Sequence, residues 1–66
     1  MTEKELTALW DTWSGPVPVH VKANDYAYDG WLVGGCVKRS KARRALVEDD
    51  NGRLFIHNAG QLAVRS

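Results

Sequence analysis

Apolar and polar positions change period once along the chain, just before Val17. In the first stretch Leu6, Leu9, Trp10 and Trp13 recur at the i, i+3, i+4, i+7 spacing of one helical face, while Glu3, Lys4, Thr7 and Asp11 fall mostly elsewhere. Thr2 followed by Glu5 fits a capping box, in which hydroxyl and carboxylate each accept from the other residue's amide. The spacing predicts a helix over 3–13, stopped by Ser14, Gly15 and Pro16. Beyond it the period is two. Val17, Val19 and Val21 alternate with Pro18, His20 and Lys22, which predicts a strand with one buried face; Pro18 has no amide to donate and suits an edge or a strand start. Asn24, Asp25, Asp29 and Gly30 bracket Tyr26 and Tyr28 in a predicted structured loop. In a second strand Trp31, Val33, Gly35 and Val37 share one face and Leu32, Gly34 and Cys36 the other, with a bend or bulge expected at Gly34-Gly35. Ala45 and Val47 alternate with Leu46 and Glu48 in a third. Asp50-Asn51-Gly52 is a tight-turn signal, and Arg53 to His57 return as a fourth strand with Leu54 and Ile56 on one face and Phe55 and His57 on the other. Asn58 to Gln61 predict a single helical turn, and Leu62, Val64 and Arg65 a short closing strand.

These elements add up to a mainly β fold, a five-stranded, strongly bent antiparallel barrel with an N-terminal amphipathic helix. One domain over 1–66 is expected, with the helix at 3–13 and the barrel at 17–65. At 66 residues a single core is near the size where it struggles against conformational entropy, and the lone Cys36 cannot form an intrachain bridge. Packing and self-association are left to stabilise it. The apolar stripe of Leu6, Leu9, Trp10 and Trp13 therefore has two readings: it closes one end of the domain's own core, or it is a subunit or partner interface. No apolar run approaches the roughly 18 residues of a membrane span, and the start MTEKE does not resemble a signal peptide, so a cytoplasmic protein without membrane contact is expected.

Charge changes the picture locally. The net charge is only +1, but Lys38, Arg39, Lys41, Arg43 and Arg44 crowd one stretch and are followed at once by Glu48, Asp49 and Asp50. A basic hairpin tip of this kind can attract phosphate, so nucleic acid or an acidic protein surface is the expected partner, with Tyr26, Tyr28, Trp31 or Phe55 available for stacking on bases. Catalytic chemistry has little to stand on. His20, Cys36 and His57 match no zinc spacing, both histidines are expected to be partly exposed, and Cys36 to be a small buried apolar residue. No metal or cofactor is expected, and there is neither a Ser, His, Asp arrangement nor a phosphate-cradling glycine loop. The expectation is a small non-enzymatic regulatory binding module that contacts nucleic acid, or a nucleic-acid-handling complex, through the basic hairpin. The alternative is a protein-binding adaptor or inhibitor that uses the Trp10/Trp13 helix face or the barrel's aromatic residues.

From Val19 onward, VHVKANDYAYDGWLVGGCV and then RRALVEDDNGRLFIHNAGQL resemble the SH3-like barrels of the Tudor and KOW type, where an Asp-Gly pair precedes an aromatic-led strand and an acidic turn with glycine precedes the fourth. The resemblance covers about three quarters of the chain. It implies that Tyr26, Tyr28, Trp31 and Phe55, with Asp25 and Asp29 nearby, form an aromatic surface of the kind that holds methylated lysine or arginine in Tudor domains. A weaker resemblance links KANDYAYDG to the strand–loop segment of the plasmid-borne type II dihydrofolate reductases, with Lys22 at the substrate-binding lysine. In Leu54-Phe55-Ile56-His57, where that family has Val-Gln-Ile-Tyr, only Ile56 matches, and loss of the glutamine removes hydrogen bonds to both cofactor and substrate.

Overall fold

The structure of the protein, a computed structural model, describes residues 1–12 and 15–65, and of Trp10 the backbone alone. A short helix, α1 (Glu3–Asp11), precedes β1 (Val17–Lys22), β2 (Ala27–Val37), β3 (Arg43–Glu48), β4 (Leu54–Asn58) and β5 (Leu62–Val64), with a 3-10 turn at Ala59–Gln61 between the last two strands. The five strands form one antiparallel sheet in the order β4-β3-β2-β1-β5. The mainly β architecture and all five strands are as the alternation predicts. No helix among the described residues is long and apolar enough to cross a membrane.

The capping box forms. Thr2 Oγ1 accepts from the Glu5 amide at 3.1 Å, and Glu5 Oε1 accepts from the Thr2 amide at 3.0 Å. The bond from the Thr2 backbone, reinforced by that from its side chain, holds the Glu5 carboxyl below its ordinary value. The helix stops two residues short of the predicted 3–13. Thr12 is its C-cap, donating its amide to the Leu9 carbonyl, while its hydroxyl bonds back to the Ala8 carbonyl at 3.1 Å, a local bond that competes with continuation. Trp13, Ser14 and the Trp10 side chain lie outside the described residues, and with them the indole half of the predicted interface. The other half is corrected: Leu6 is fully buried in the core and Leu9 packs half-buried against it. For these two residues the apolar stripe covers the chain's own interior.

That interior is lined by Leu6, Val19, Val21, Leu32, Ala45, Val47, Ala59 and Leu62, so α1, the 3-10 turn and every strand except β4 contribute to one cluster. Gly30 lies inside it, because a Cβ there would sit 2.7 Å from the Glu48 carbonyl and 2.9 Å from Val47 Cγ1. Two details of β2 differ from expectation. It begins at Ala27 rather than Trp31, because the Asn24-Asp25 turn closes early, with Ala23 donating to the Tyr26 carbonyl at 2.9 Å and Lys22 pairing with Ala27. Tyr28, Asp29 and Gly30 are consequently strand residues. The expected bulge falls between Leu32 and Gly34, one residue earlier than the glycine pair. Its extra residue swaps the faces: Leu32 points inward and Trp31 outward before it, while Gly34 and Cys36 pair with the outward Leu46 and Arg44 after it. Trp31 thus does not share a face with Gly35 and Val37, as strict alternation had it, and Cys36 is half-buried on the outer side.

Candidate functional site

Two turns at the same end of the sheet, 23–26 and 49–53, bring together three of the four predicted aromatic residues, Tyr26, Tyr28 and Phe55; Trp31 stands on the outer face beside Glu48, and neither it nor Asp25 lines the site. Tyr28 enters from β2 and Phe55 from β4, both on the inner face, with ring centroids 5.8 Å apart and planes inclined at 59°. Tyr26 stacks on Tyr28 at 6.0 Å and 20°, and is 51% exposed. Together they wall an open groove of about 530 Å³, rimmed by Asp29, Asp49, Asp50 and Asn51.

The acidic turn is built by Asp49. Its Oδ1 accepts from the amides of Asn51 and Arg53, both at 2.9 Å, and its Oδ2 accepts from Arg53 Nε at 3.1 Å. Gly52, at φ 81°, supplies the left-handed residue that closes the turn. Burial pushes the Asp49 carboxyl up, but the two amides and the Arg53 guanidinium together outweigh it and hold it below the usual carboxylate range. Arg53, clamped in this way, carries its guanidinium 5.7 Å above the Phe55 ring centroid. Among the described residues Asp50 makes no hydrogen bond or ion pair, and its carboxylate stands exposed at the rim. Asp29 is already engaged on the outer side, by His20 Nδ1 at 2.8 Å and Arg65 at 3.4 Å, and the His20 bond first of all keeps its carboxyl low.

Behind the groove His57 corrects an expectation, since it is buried rather than partly exposed. Gln61 Oε1 accepts from the Asn58 amide at 3.0 Å and lies 3.3 Å from His57 Nδ1, so Nδ1 is the donor there and Nε2 accepts from the Tyr28 hydroxyl at 2.6 Å. The position fits the inward register of β4, and the 3-10 turn supplies the polar partner that burial of an imidazole requires. Burial, then the nearby Tyr26 and Asp49, raise the Tyr28 phenol above its ordinary value. Tyr28 is in this way fixed in orientation at the back of the groove.

The basic stretch is divided. Lys38, Arg39 and Lys41 are exposed on the β2–β3 loop, which is closed by Lys38 donating to the Ala42 carbonyl at 2.9 Å and by Lys41 at φ 66°. Arg43 and Arg44 belong to β3, half-buried, and as strand neighbours they turn to opposite faces. The Arg43 amide donates to Glu3 Oε1 at 3.2 Å, tying the strand to α1, and Arg44 Nη1 donates to the Arg43 carbonyl at 3.2 Å. The single five-charge tip expected from the sequence is therefore a three-charge loop. It also lies at the far end of β2 from the groove, so one short ligand does not bridge stacking aromatics and cations. The reductase-like segment is dispersed as well, with Lys22 exposed on the outer face of β1 and Phe55 and His57 on the inner face of β4.

Missing from the sequence reading were His57 as a buried hydrogen-bonding group and Arg53 as a groove residue. Arg53 was legible in hindsight: it stands two before Phe55, hence over the same strand face, and four after Asp49. No protein-family model matches the chain, and no curated protein or solved structure matches it significantly.

Proposed function

We propose that this chain is a non-enzymatic binding module with an SH3-like barrel of the Tudor type, and that its groove takes a cationic side chain from a protein partner, methylated lysine or arginine being the fitting class. The barrel reading is supported by the strand order β4-β3-β2-β1-β5, the bulge in β2 and the 3-10 turn leading into β5. The ligand reading is carried by one observation: the chain's own Arg53 already lies on the Phe55 face, held by Asp49, inside a groove walled by Tyr26 and Tyr28. A cation over such rings gains about 0.5–2 kcal/mol per contact, depending on how far water is excluded. Asp49 is neutralised by Arg53, while Asp50, which has no ion-pair partner among the described residues, adds attraction for positive charge and repels phosphate, which disfavours the groove as a base-stacking platform. Calorimetric titration with short peptides bearing lysine, trimethyl-lysine, arginine or dimethyl-arginine tests this. A methylated peptide is expected to bind more tightly than its unmodified parent, and Tyr26→Ala to weaken it about tenfold, the worth of roughly one such contact. Equal affinity of wild type and Tyr26→Ala for every peptide rejects the reading.

Exposure of Lys38, Arg39 and Lys41 on one loop favours a second reading, electrostatic contact with nucleic acid at the opposite end of the sheet. Three phosphate contacts predict a slope of log affinity against log salt of about −2.7 on a duplex.

A further inference from the structure

The outer face of the sheet carries apolar residues with nothing laid over them among the described residues. Cross-strand register arranges it in three rows, Trp31–Glu48–Leu54, Gly34–Leu46–Ile56 and Cys36–Arg44–Asn58. Trp31, Leu54 and Ile56 are 41%, 56% and 54% exposed, and Leu46 is half-buried between them. Several adjacent large apolar side chains facing water form the kind of contiguous patch that marks an interaction surface. β4 is in addition an edge strand, paired on one side with β3, and its sequence LFIHN contains neither proline nor lysine to blunt that edge.

We propose that this face packs against the same face of a second copy of the chain, about a two-fold axis lying along the middle row. Such an axis reverses the strand direction and exchanges the two outer rows. Leu46 and Ile56 then meet their own counterparts. Arg44 and Glu48, which stand two residues to either side of Leu46, meet each other across the interface, once on each side of the axis. Trp31 comes to lie over the second copy's Cys36, beside the bare backbone of its Gly34, so a large side chain faces small ones. Charge and shape are thus complementary to themselves under one rotation, which is the signature of an isologous contact. Glu48 has no ion-pair partner within the chain among the described residues, and Arg44 spends one guanidinium nitrogen on a backbone carbonyl, so both have capacity for this contact. The gain is largest for a domain of this size, whose single core is small.

Sedimentation equilibrium over a concentration series tests the proposal. The wild-type chain is expected to reach a dimer, and Ile56→Arg, at an exposed position that leaves the core intact, to weaken it at least about tenfold. Arg44→Glu and Glu48→Arg are each expected to weaken association about tenfold, and the double reversal to restore it. Circular dichroism establishes that each variant is folded; should Ile56→Arg fail to fold, the charge reversal decides alone. A wild-type chain that stays monomeric at every concentration overturns the proposal, whatever else binds the face. So does a dimer indifferent to Ile56→Arg and to both reversals.

Discussion

Gly30 shows most directly how one side chain, here its absence, permits the fold. An added methyl group would lie 2.7 Å from the Glu48 carbonyl, against backbone that cannot swing aside, so Gly30→Ala is expected to destabilise by about 1–3 kcal/mol in urea unfolding. Wild-type stability would mean that β2 and β3 do not approach as closely as described. Asp49 sets a pH dependence. Because its carboxyl is held low in the folded state, the stability it contributes is in place above the unfolded value, about 3.9, and is lost as pH falls through the lower folded value. Acidification through that lower folded value should therefore release Arg53 from Phe55, visible as a shift of the Phe55 ring resonances, and Asp49→Asn should abolish that acid step. At this scale residue type and the Tudor-like resemblance already grouped Tyr26, Tyr28 and Phe55, although together with Trp31, which the strand places on the other face. Burial of His57 was not legible, because it depends on Gln61 arriving from a turn whose placement is tertiary.

Elements were legible where one period ran uninterrupted and obscure where it broke. The cap at Thr2 was plain from its spacing to Glu5, and Thr2→Ala should cost about 1 kcal/mol of stability. Leu6→Ala, which empties a fully buried position, should cost about 2–5 kcal/mol, a large fraction of what a small domain has. Equal effects of the two substitutions would contradict the docking of α1 onto the core. By contrast, the bulge between Leu32 and Gly34 inverted the face assignment of everything after it in β2, and no pattern of apolar residues announces an extra residue. The early start of β2 was masked by Asp29 and Gly30, which read as loop formers but sit in the strand because His20 pairs with one and close packing demands the other.

Over the whole molecule, charge is sorted along the β2–β3 hairpin, with carboxylates and aromatic rings at one end and Lys38, Arg39 and Lys41 at the other. The sequence placed basic and acidic runs side by side; folding them onto antiparallel strands sends them to opposite ends. That separation turns the groove toward cations and leaves the loop to answer independently to salt. Aromatic-ring NMR of the wild-type chain tests the groove most directly, using one peptide made twice, once with trimethyl-lysine and once with a neutral tert-butyl isostere of the same shape. Saturable shifts of the Tyr26, Tyr28 and Phe55 rings with the charged peptide, and much weaker ones with the neutral peptide, are the predicted result. Equal response to both, or none to either, would contradict a site built to hold positive charge.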